Sequence, residues 1–142
     1  MSSGSSTSAS LWSNGLFAIT IYADDLSASR KFYGDLLQME EIFSNHDSVV
    51  YQMGSACLNV LMRENAPELV APLPIAPSSA GSRSLLTVTV DNVDAAYAAL
   101  VARGVVFLNG PIDRPWGMRT AAFADPSGHC WELAQKISSS AT

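Results

Sequence analysis

The sequence predicts an α+β domain built from two copies of one strand-helix-strands module. The first observation is an internal repeat, in which residues 19–26 align with residues 86–93. Each segment alternates apolar and polar residues, reaches an Asx pair and continues as an amphipathic run, which is typical of a strand followed by a capped helix. The second is length, because 142 residues suit one domain. One module alone buries too little surface to be stable, so the two must pair, within a chain or between chains.

Both predicted helices carry start signals and an apolar stripe. The stripe of the first consists of Ala28, Phe32 and Leu36, and that of the second of Val93, Ala96, Tyr97 and Leu100. Asp25 or Ser27 is placed to cap the first helix, and Gly104 follows the second where a left-handed residue is favoured.

Three strand-like runs follow each helix. They span residues 41–43, 49–53 and 56–62 in the first module, and 105–108, 119–124 and 130–134 in the second. The turn at residues 125–128 makes the last two strands a hairpin, and the longer second module indicates a loop at residues 109–117.

The domain organisation is predicted as two modules, at residues 11–63 and 84–137. Residues 64–83 hold four of the seven prolines and are expected to form an extended connector. The Ser-rich residues 1–10 and the last residues, 138–142, are predicted to be disordered tails.

Composition excludes several partners. The net charge of −5 and only eight scattered Lys and Arg residues argue against nucleic acid and favour a neutral or cationic small molecule. No apolar run approaches a membrane span, and no signal peptide is evident. Since Cys57 and Cys130 form no disulfide framework, we expect a cytoplasmic protein.

Two motifs carry a family resemblance. Asp25-Leu26 precedes Phe32-Tyr33-Gly34-Asp35-Leu36-Leu37, and the chain ends its second module with Phe123-Ala124-Asp125-Pro126-Ser127-Gly128-His129-Cys130-Trp131-Glu132-Leu133. Together with the repeat, they resemble the vicinal-oxygen-chelate superfamily of glyoxalases, extradiol dioxygenases, fosfomycin-resistance enzymes and bleomycin-binding proteins, over about residues 16–135. The resemblance implies a cupped, barrel-like mixed sheet with helices outside, a ligand in the hollow, and a homodimer.

Strand periodicity assigns side chains to the two faces of this sheet. The helix-facing set is Ile19, Ile21, Leu58, Val60, Leu86, Val88, Trp131 and Leu133. The hollow-facing set is Ala18, Thr20, Tyr22, Cys57, Asn59, Leu61, Leu85, Thr87, Thr89, Cys130, Glu132 and Ala134. The hollow is therefore partly polar, which suits a ligand site.

The resemblance implies four metal-ligand positions, which here are Ala18, Asn59, Leu85 and Glu132. Only Glu132 is a good ligand, because alanine and leucine offer no donor atom and a neutral amide is weak. We therefore expect no metal cofactor. The two histidines, His46 and His129, are expected to be exposed turn residues.

A lone carboxylate in the hollow needs a partner. If the four-residue turn sets the register, Ala121 lies opposite Glu132 and Arg119 is its diagonal neighbour. One interpretation is an Arg119–Glu132 pair that replaces the metal. The other is that Glu132 reaches water, or stays protonated, as a relic of the family site.

The loop 114–119 supplies further candidates. Trp116 offers a flat face for a planar ligand, although it could instead cover the barrel end or a dimer contact. Arg114 at the rim could meet an anionic group. The full set of candidate ligand residues is Thr20, Tyr22, Asn59, Thr87, Thr89, Arg114, Trp116, Arg119, Phe123 and Glu132.

Three functions remain open. The first is a metal-free binding protein, resembling bleomycin- and mitomycin-type resistance proteins, that sequesters or carries a planar aromatic compound. The second is a lyase, isomerase or dioxygenase of glyoxalase type, using an unusual metal site or Glu132 as general base. The third is a partner module whose cup is filled by its own side chains or by a neighbour's connector.

Overall fold

The computed structural model describes residues 11–137. The two expected tails, residues 1–10 and 138–142, lie outside the described residues. The first module contains strand β1 (Ala18–Ala23), helix α1 (Leu26–Arg30) with a π-helical continuation (Lys31–Leu36), and strands β2 (Glu41–Ser44), β3 (Ser48–Met53) and β4 (Ala56–Met62). The connector contains a 3₁₀ turn (Arg63–Asn65), helix α2 (Pro67–Val70) and a second 3₁₀ turn (Ser78–Ala80). The second module contains β5 (Leu85–Thr89), α3 (Val93–Ala102), β6 (Phe107–Asp113), β7 (Met118–Ala124) and β8 (Cys130–Lys136).

Each module folds into its own four-stranded mixed sheet. The strand orders are β1-β4-β3-β2 and β5-β8-β7-β6, with β1 parallel to β4, β5 parallel to β8 and all other pairs antiparallel. This repeated topology confirms the α+β class and the tandem βαβββ modules. The two sheets are cupped and do not close into a barrel.

Local signals place both helices where the sequence predicts them. The Asp25 carboxylate accepts hydrogen bonds from the amides of Ser27 and Ala28 at 3.0 and 3.3 Å, so Asp25 is the cap of α1. The Asn92 side chain caps α3 through the Ala95 amide at 3.0 Å, and Gly104 ends that helix with φ +105°. The α1 helix widens after Arg30, where the Leu37 amide bonds to the Phe32 carbonyl at 2.9 Å.

Two expectations about loops are wrong. Residues 109–113 belong to β6, which leaves only residues 114–117 as the turn before β7. Gly110 and Pro111 are tolerated because β6 is an edge strand, and two register shifts against β7 absorb the irregularity. The connector is not wholly extended, since it contains three short helical segments. Its prolines allow this because proline is well accepted at the first helical positions, as at Pro67.

The two modules of one chain share a single hydrophobic core. The Tyr33 ring lies 5.9 Å from that of Tyr51 in the first sheet and 6.0 Å from that of Trp131 in the second. The Phe32 ring lies 5.9 Å from that of Phe123. Helix α1 thus contacts the helix-facing sides of both sheets, and the modules pair within the chain.

The predicted faces hold for most positions. Ile21, Leu58, Val60, Trp131 and Leu133 are buried in the core as expected. Two positions differ from the expectation. Val88, on the edge strand β5, remains 38% exposed, and Ala134, on the hollow face of β8, is only 2% exposed. Within residues 11–137, no helix is both long enough and apolar enough to span a membrane.

Candidate functional site

Two hydrogen-bonded pairs of polar side chains occupy the hollow face, one in each module. Parallel pairing sets Thr20 opposite Asn59 and Thr87 opposite Glu132. The Asn59 amide nitrogen donates to the Thr20 hydroxyl at 3.3 Å, and the Thr87 hydroxyl donates to Oε1 of Glu132 at 2.9 Å. The repeat therefore places a threonine and its polar partner at equivalent positions in both halves.

The donor atoms of this face do not fit a divalent metal. Ala18 and Leu85 carry no donor, and the neutral Asn59 is the only companion of Glu132 at the four positions that the family uses. Among residues 11–137, no group of three or more His, Cys, Asp or Glu side chains is arranged to hold a metal ion. These side chains therefore support no catalytic step through a metal.

The predicted pairing of Arg119 with Glu132 is wrong. The Arg119 guanidinium lies 2.8 Å from Asp113 of β6 and 3.0 Å from Asp94 of α3. These two hydrogen bonds, that of Asp113 first, raise the pKa of Arg119. Residues 125–129, one more than expected, separate β7 from β8, so Ala122 lies opposite Glu132. A shift of one residue turns a side chain to the other face, and Arg119 consequently points to the helices.

Arg114, unlike Arg119, lies on the hollow side of the second sheet. Its Nε donates to the Thr120 hydroxyl at 3.0 Å. Thr120 shares a face with Ala122, the residue opposite Glu132. The sequence placed Arg114 at the rim, but its contact with Thr120 had no sequence signal because it depends on the β6–β7 turn.

Other candidates divide between the hollow and the core. Thr89 is exposed opposite Ala134, and Tyr22 is half-buried. Trp116 is 57% exposed in the turn before β7. Phe123 is 2% exposed, and its ring lies 5.2 Å from that of Phe107, so its predicted ligand role is wrong: it is a core residue.

The two histidines differ in environment. The side chain of His46 is 93% exposed in a turn, as expected. His129 is half-buried, with Nε2 2.8 Å from the Tyr22 carbonyl oxygen, so its description as an exposed turn residue is wrong. This hydrogen bond links the second module to β1.

A buried network that sequence analysis missed lies behind the hollow. The Asp125 carboxylate, in a residue that is 6% exposed, accepts hydrogen bonds from the Tyr33 hydroxyl at 2.6 Å and from the amides of Ser127 and His129 at 2.9 and 2.8 Å. The Tyr33 hydroxyl accepts one from the Trp131 indole at 2.9 Å. Burial, and then the Asp125 charge, raise the pKa of Tyr33. The sequence indicated a turn at Asp125, but it gave no sign that Tyr33, 92 residues earlier, bonds to it.

Two cavities lie on the surface formed by residues 11–137. A cleft of about 760 Å³ lies between α1 and the β2–β3 hairpin, with charges of both signs such as the Arg30–Glu41 pair at 3.1 Å. A smaller cavity of about 250 Å³, which we term the seam cavity, lies between β1, residues 76–84 of the connector and the turn 127–130. Thr20 and Tyr22 line its margin, so the seam cavity adjoins the hollow.

These features define a class: two-module α+β proteins whose cupped sheets present a ligand-binding hollow. The chain belongs to the Glyoxalase/Bleomycin resistance protein/Dioxygenase superfamily, whose family model matches residues 15–133. This confirms the resemblance to the vicinal-oxygen-chelate superfamily.

Known proteins show the same relationship. A glyoxalase/bleomycin resistance protein/dioxygenase from Nocardioides superimposes with a TM-score of 0.77 at 24% identity, covering 87% of this chain and 83% of its own. A glyoxalase-related enzyme from Fulvimarina pelagi has a TM-score of 0.73 at 31% identity, covering 84% and 86%. The uncharacterized protein YraH of Bacillus subtilis is 30% identical over 126 residues, which are 86% of this chain and 98% of YraH. An uncharacterized protein of Mycobacterium bovis is 29% identical over 79 residues. The match covers 55% of this chain and about half, 52%, of the mycobacterial protein.

Proposed function

We propose that this protein binds a small organic molecule in its hollow and needs no metal to do so. The observation that carries this proposal is the set of residues at the four family positions. Ala18 and Leu85 offer no donor, whereas Asn59 and Glu132 remain and are each held by a threonine. Side chains that are oriented but not used for coordination suit recognition of a ligand.

The hydrogen-bond directions specify what the ligand offers. Asn59 donates one amide hydrogen to Thr20 and keeps its Oδ1 as an acceptor. Glu132 accepts from Thr87 at Oε1, and among residues 11–137 no hydrogen bond reaches its Oε2. Both modules therefore present acceptor atoms to the hollow. The complementary ligand carries N–H or O–H donors and is neutral or cationic.

The rim supports a planar ligand. Trp116 is exposed in the turn before β7, and an exposed indole offers a rigid stacking face. Arg114 lies on the same side of the second sheet as Glu132. Sequestering a planar, antibiotic-like compound fits this combination. Since Thr20, Thr87 and Thr89 are exposed, side chains of residues 11–137 do not fill the hollow.

Metal analysis and ligand titration test the proposal together. We expect substoichiometric metal in protein purified without chelator, and saturable quenching of Trp fluorescence by planar cationic or neutral aromatic compounds. Glu132→Gln should weaken binding at least about tenfold, because a charge-assisted hydrogen bond is lost. Glu68→Gln, which changes an exposed carboxylate on α2, is the matched control and should bind as the wild type does. One tightly held metal per chain that disappears in Glu132→Gln would overturn the proposal.

A second candidate is an enzyme in which Glu132 acts as general base. The 31% identity to a glyoxalase-related enzyme supports it. Oε2 of Glu132, which does not bond to Thr87, would accept a proton from a substrate bound in the hollow. Assays of lyase, isomerase and dioxygenase substrates, with and without nickel, zinc, manganese or iron, distinguish it from the carrier: turnover lost in Glu132→Gln identifies the enzyme.

We further propose a cytoplasmic homodimer. Leu16 and Phe17, which precede β1, are 66% and 83% exposed, and Leu85 on the hollow face is 51% exposed. These apolar side chains suit contact with a second copy. Both cysteines are free thiols, which suits a reducing compartment. Light scattering should give the dimer mass for the wild type and the monomer mass for a Leu16→Ser, Phe17→Ser variant.

A further inference from the structure

The seam cavity presents the guanidinium of Arg83, which has no carboxylate partner among residues 11–137, in an acidic protein. Arg63 and Arg83 line it and none of its lining residues is Asp or Glu, although the Asp24 carboxylate beside it pairs with Arg63. The chain has a net charge of −5 and eight Lys and Arg residues, of which two line this cavity. Such a local field attracts an anion although the whole molecule repels it.

The two arginines play different parts. Arg63 is held by Asp24, whose carboxylate lies 2.7 Å from its Nε, and by the Ala76 carbonyl. The Ser78 hydrogen bond, and then Arg63, lower the Asp24 pKa, which keeps this pair ionised. Arg83 forms no ion pair with any residue between 11 and 137, so its guanidinium remains available to a bound anion.

Hydroxyl groups supply further donors. The Ser127 hydroxyl oxygen accepts a hydrogen bond from the Asp24 amide at 3.1 Å, which leaves the hydroxyl proton free to donate. Ser82 and Ser84 also line the cavity, and the Ser82 hydroxyl donates to the Ser84 carbonyl at 2.8 Å, which fixes the shape of that wall. Together with Arg83, Ser127 offers the mixed donors that phosphate and carboxylate oxygens take.

The walls are held close together by an unusual backbone approach. Gly128 has φ +92°, and a Cβ there would lie 3.1 Å from the Ser78 carbonyl oxygen. Any other residue would strain this backbone conformation and push the connector away, so glycine favours the close approach of the turn and the connector. The cavity is therefore formed by tertiary packing of three segments and not by one mobile loop.

We propose that the seam cavity is a site for a compact anion, namely a small carboxylate or phosphate, distinct from the ligand of the hollow. Its volume of about 250 Å³ falls below the roughly 300–1,000 Å³ of pockets that enclose drug-sized ligands. A planar polycyclic compound is therefore too large for it. The basic lining selects against the neutral or cationic ligand that the acceptors of the hollow favour.

NMR titration at constant ionic strength tests this site. Inorganic phosphate and malonate are the probes, with sodium chloride as the screening control. We expect saturable amide shifts at Ser78, Ser127 and Gly128. Arg83→Gln should weaken the affinity about tenfold, the worth of one charge-assisted hydrogen bond. Lys136→Gln removes an exposed charge at the end of β8, outside the seam cavity, and should change the affinity less than about twofold.

A second variant keeps the test independent of Arg83. Ser127→Ala should weaken phosphate binding severalfold, while Glu132→Gln in the hollow should leave it within about twofold. Saturation by phosphate alone, or by malonate alone, would support the site and identify the preferred anion. The absence of saturable shifts up to 20 mM of either probe, taken as about the weakest affinity of interest, would overturn the proposal. Equal affinities in the wild type and Arg83→Gln would do the same.

Discussion

Asp125 and Glu132 are two carboxylates of the second module with opposite surroundings. Asp125 is 6% exposed and accepts three hydrogen bonds, from the Tyr33 hydroxyl and from two backbone amides. Glu132 is half-buried on the hollow face and, among residues 11–137, accepts one hydrogen bond, from Thr87. The carboxylate in the turn between β7 and β8 therefore anchors the structure, whereas the carboxylate on the hollow face of β8 is available to bind a ligand.

The difference shows how to separate a structural acid from a functional one. A buried carboxylate must have its oxygens satisfied by donors, since the cost of an unpaired buried charge is severe. A carboxylate that keeps a free oxygen beside exposed hydroxyls does not contribute much to stability. It can instead exchange water for a ligand. On this basis, stability should depend on Asp125 and binding on Glu132.

The largest expected effect comes from Asp125→Ala. The change leaves the buried Tyr33 hydroxyl and the amides of Ser127 and His129 without their acceptor, so we expect a loss of about 3–5 kcal/mol in the free energy of unfolding, measured in urea. Glu64→Ala, at an exposed acidic position in the connector, is the control and should lie within about 0.5 kcal/mol of the wild type. A loss of less than about 1 kcal/mol for Asp125→Ala would contradict the anchoring role.

Tyr33→Phe should cost less, about 1–3 kcal/mol, because it leaves the Asp125 amide bonds in place and removes only the hydroxyl between Asp125 and Trp131. The pH dependence sharpens the test. Burial and then the Asp125 charge raise the folded-state pKa of Tyr33 above its usual 10.0, so the contribution of the neutral hydroxyl is complete below pH 10 and falls as the pH rises further.

The wild type should therefore lose more stability than Tyr33→Phe between pH 10 and 11, a window set by the usual tyrosine value of 10.0. Tyr97→Phe, at a half-buried position on α3, serves as the matched substitution. Parallel pH profiles for the wild type and Tyr33→Phe would argue against a Tyr33 that must stay protonated.

Glu132→Gln should change the free energy of unfolding by less than about 1 kcal/mol, because the amide oxygen can still accept from Thr87 and the site is open to water. Thermal denaturation checks this. Thr87→Val, which removes the donor, should likewise stay near the wild type in stability. A destabilisation comparable to that of Asp125→Ala would show that the two carboxylates do not differ as proposed.

The smallest effect concerns the β7–β8 register. Double-mutant cycles should show coupling of Arg119 with Asp94 and with Asp113, since these are its ion-pair partners. The cycle of Arg119 with Glu132 should give no coupling, because the two side chains lie on opposite faces. Coupling between Arg119 and Glu132 would instead support the register in which Ala121 lies opposite Glu132.

Much of the fold was predictable from short-range patterns. Alternating residues located β1, β4 and β5, and the Asx positions before α1 and α3 located both helix starts, because capping and burial periodicity involve neighbours in sequence. Exposure of Thr20 and Thr87 followed from the same parity. The resemblance to the family predicted how these elements assemble into two modules, and the strand orders confirm it.

The errors in the candidate site came from long-range geometry. One additional residue between β7 and β8 reversed the face of Arg119 and moved Phe123 into the core. The length of β6 was missed because Gly110 and Pro111 normally mark a loop, and an edge strand tolerates them.

By itself, the sequence determined the repeated module, its capped helices and the chemical deficiency of Ala18 and Leu85 as metal ligands, since these depend on residue type and local spacing. Only the tertiary structure decided that Thr87 holds Glu132, that Tyr33 joins Asp125 across the modules, and that Arg83 faces the seam cavity. Such contacts join residues far apart in the chain, and their existence depends on register and packing angles that no local pattern encodes.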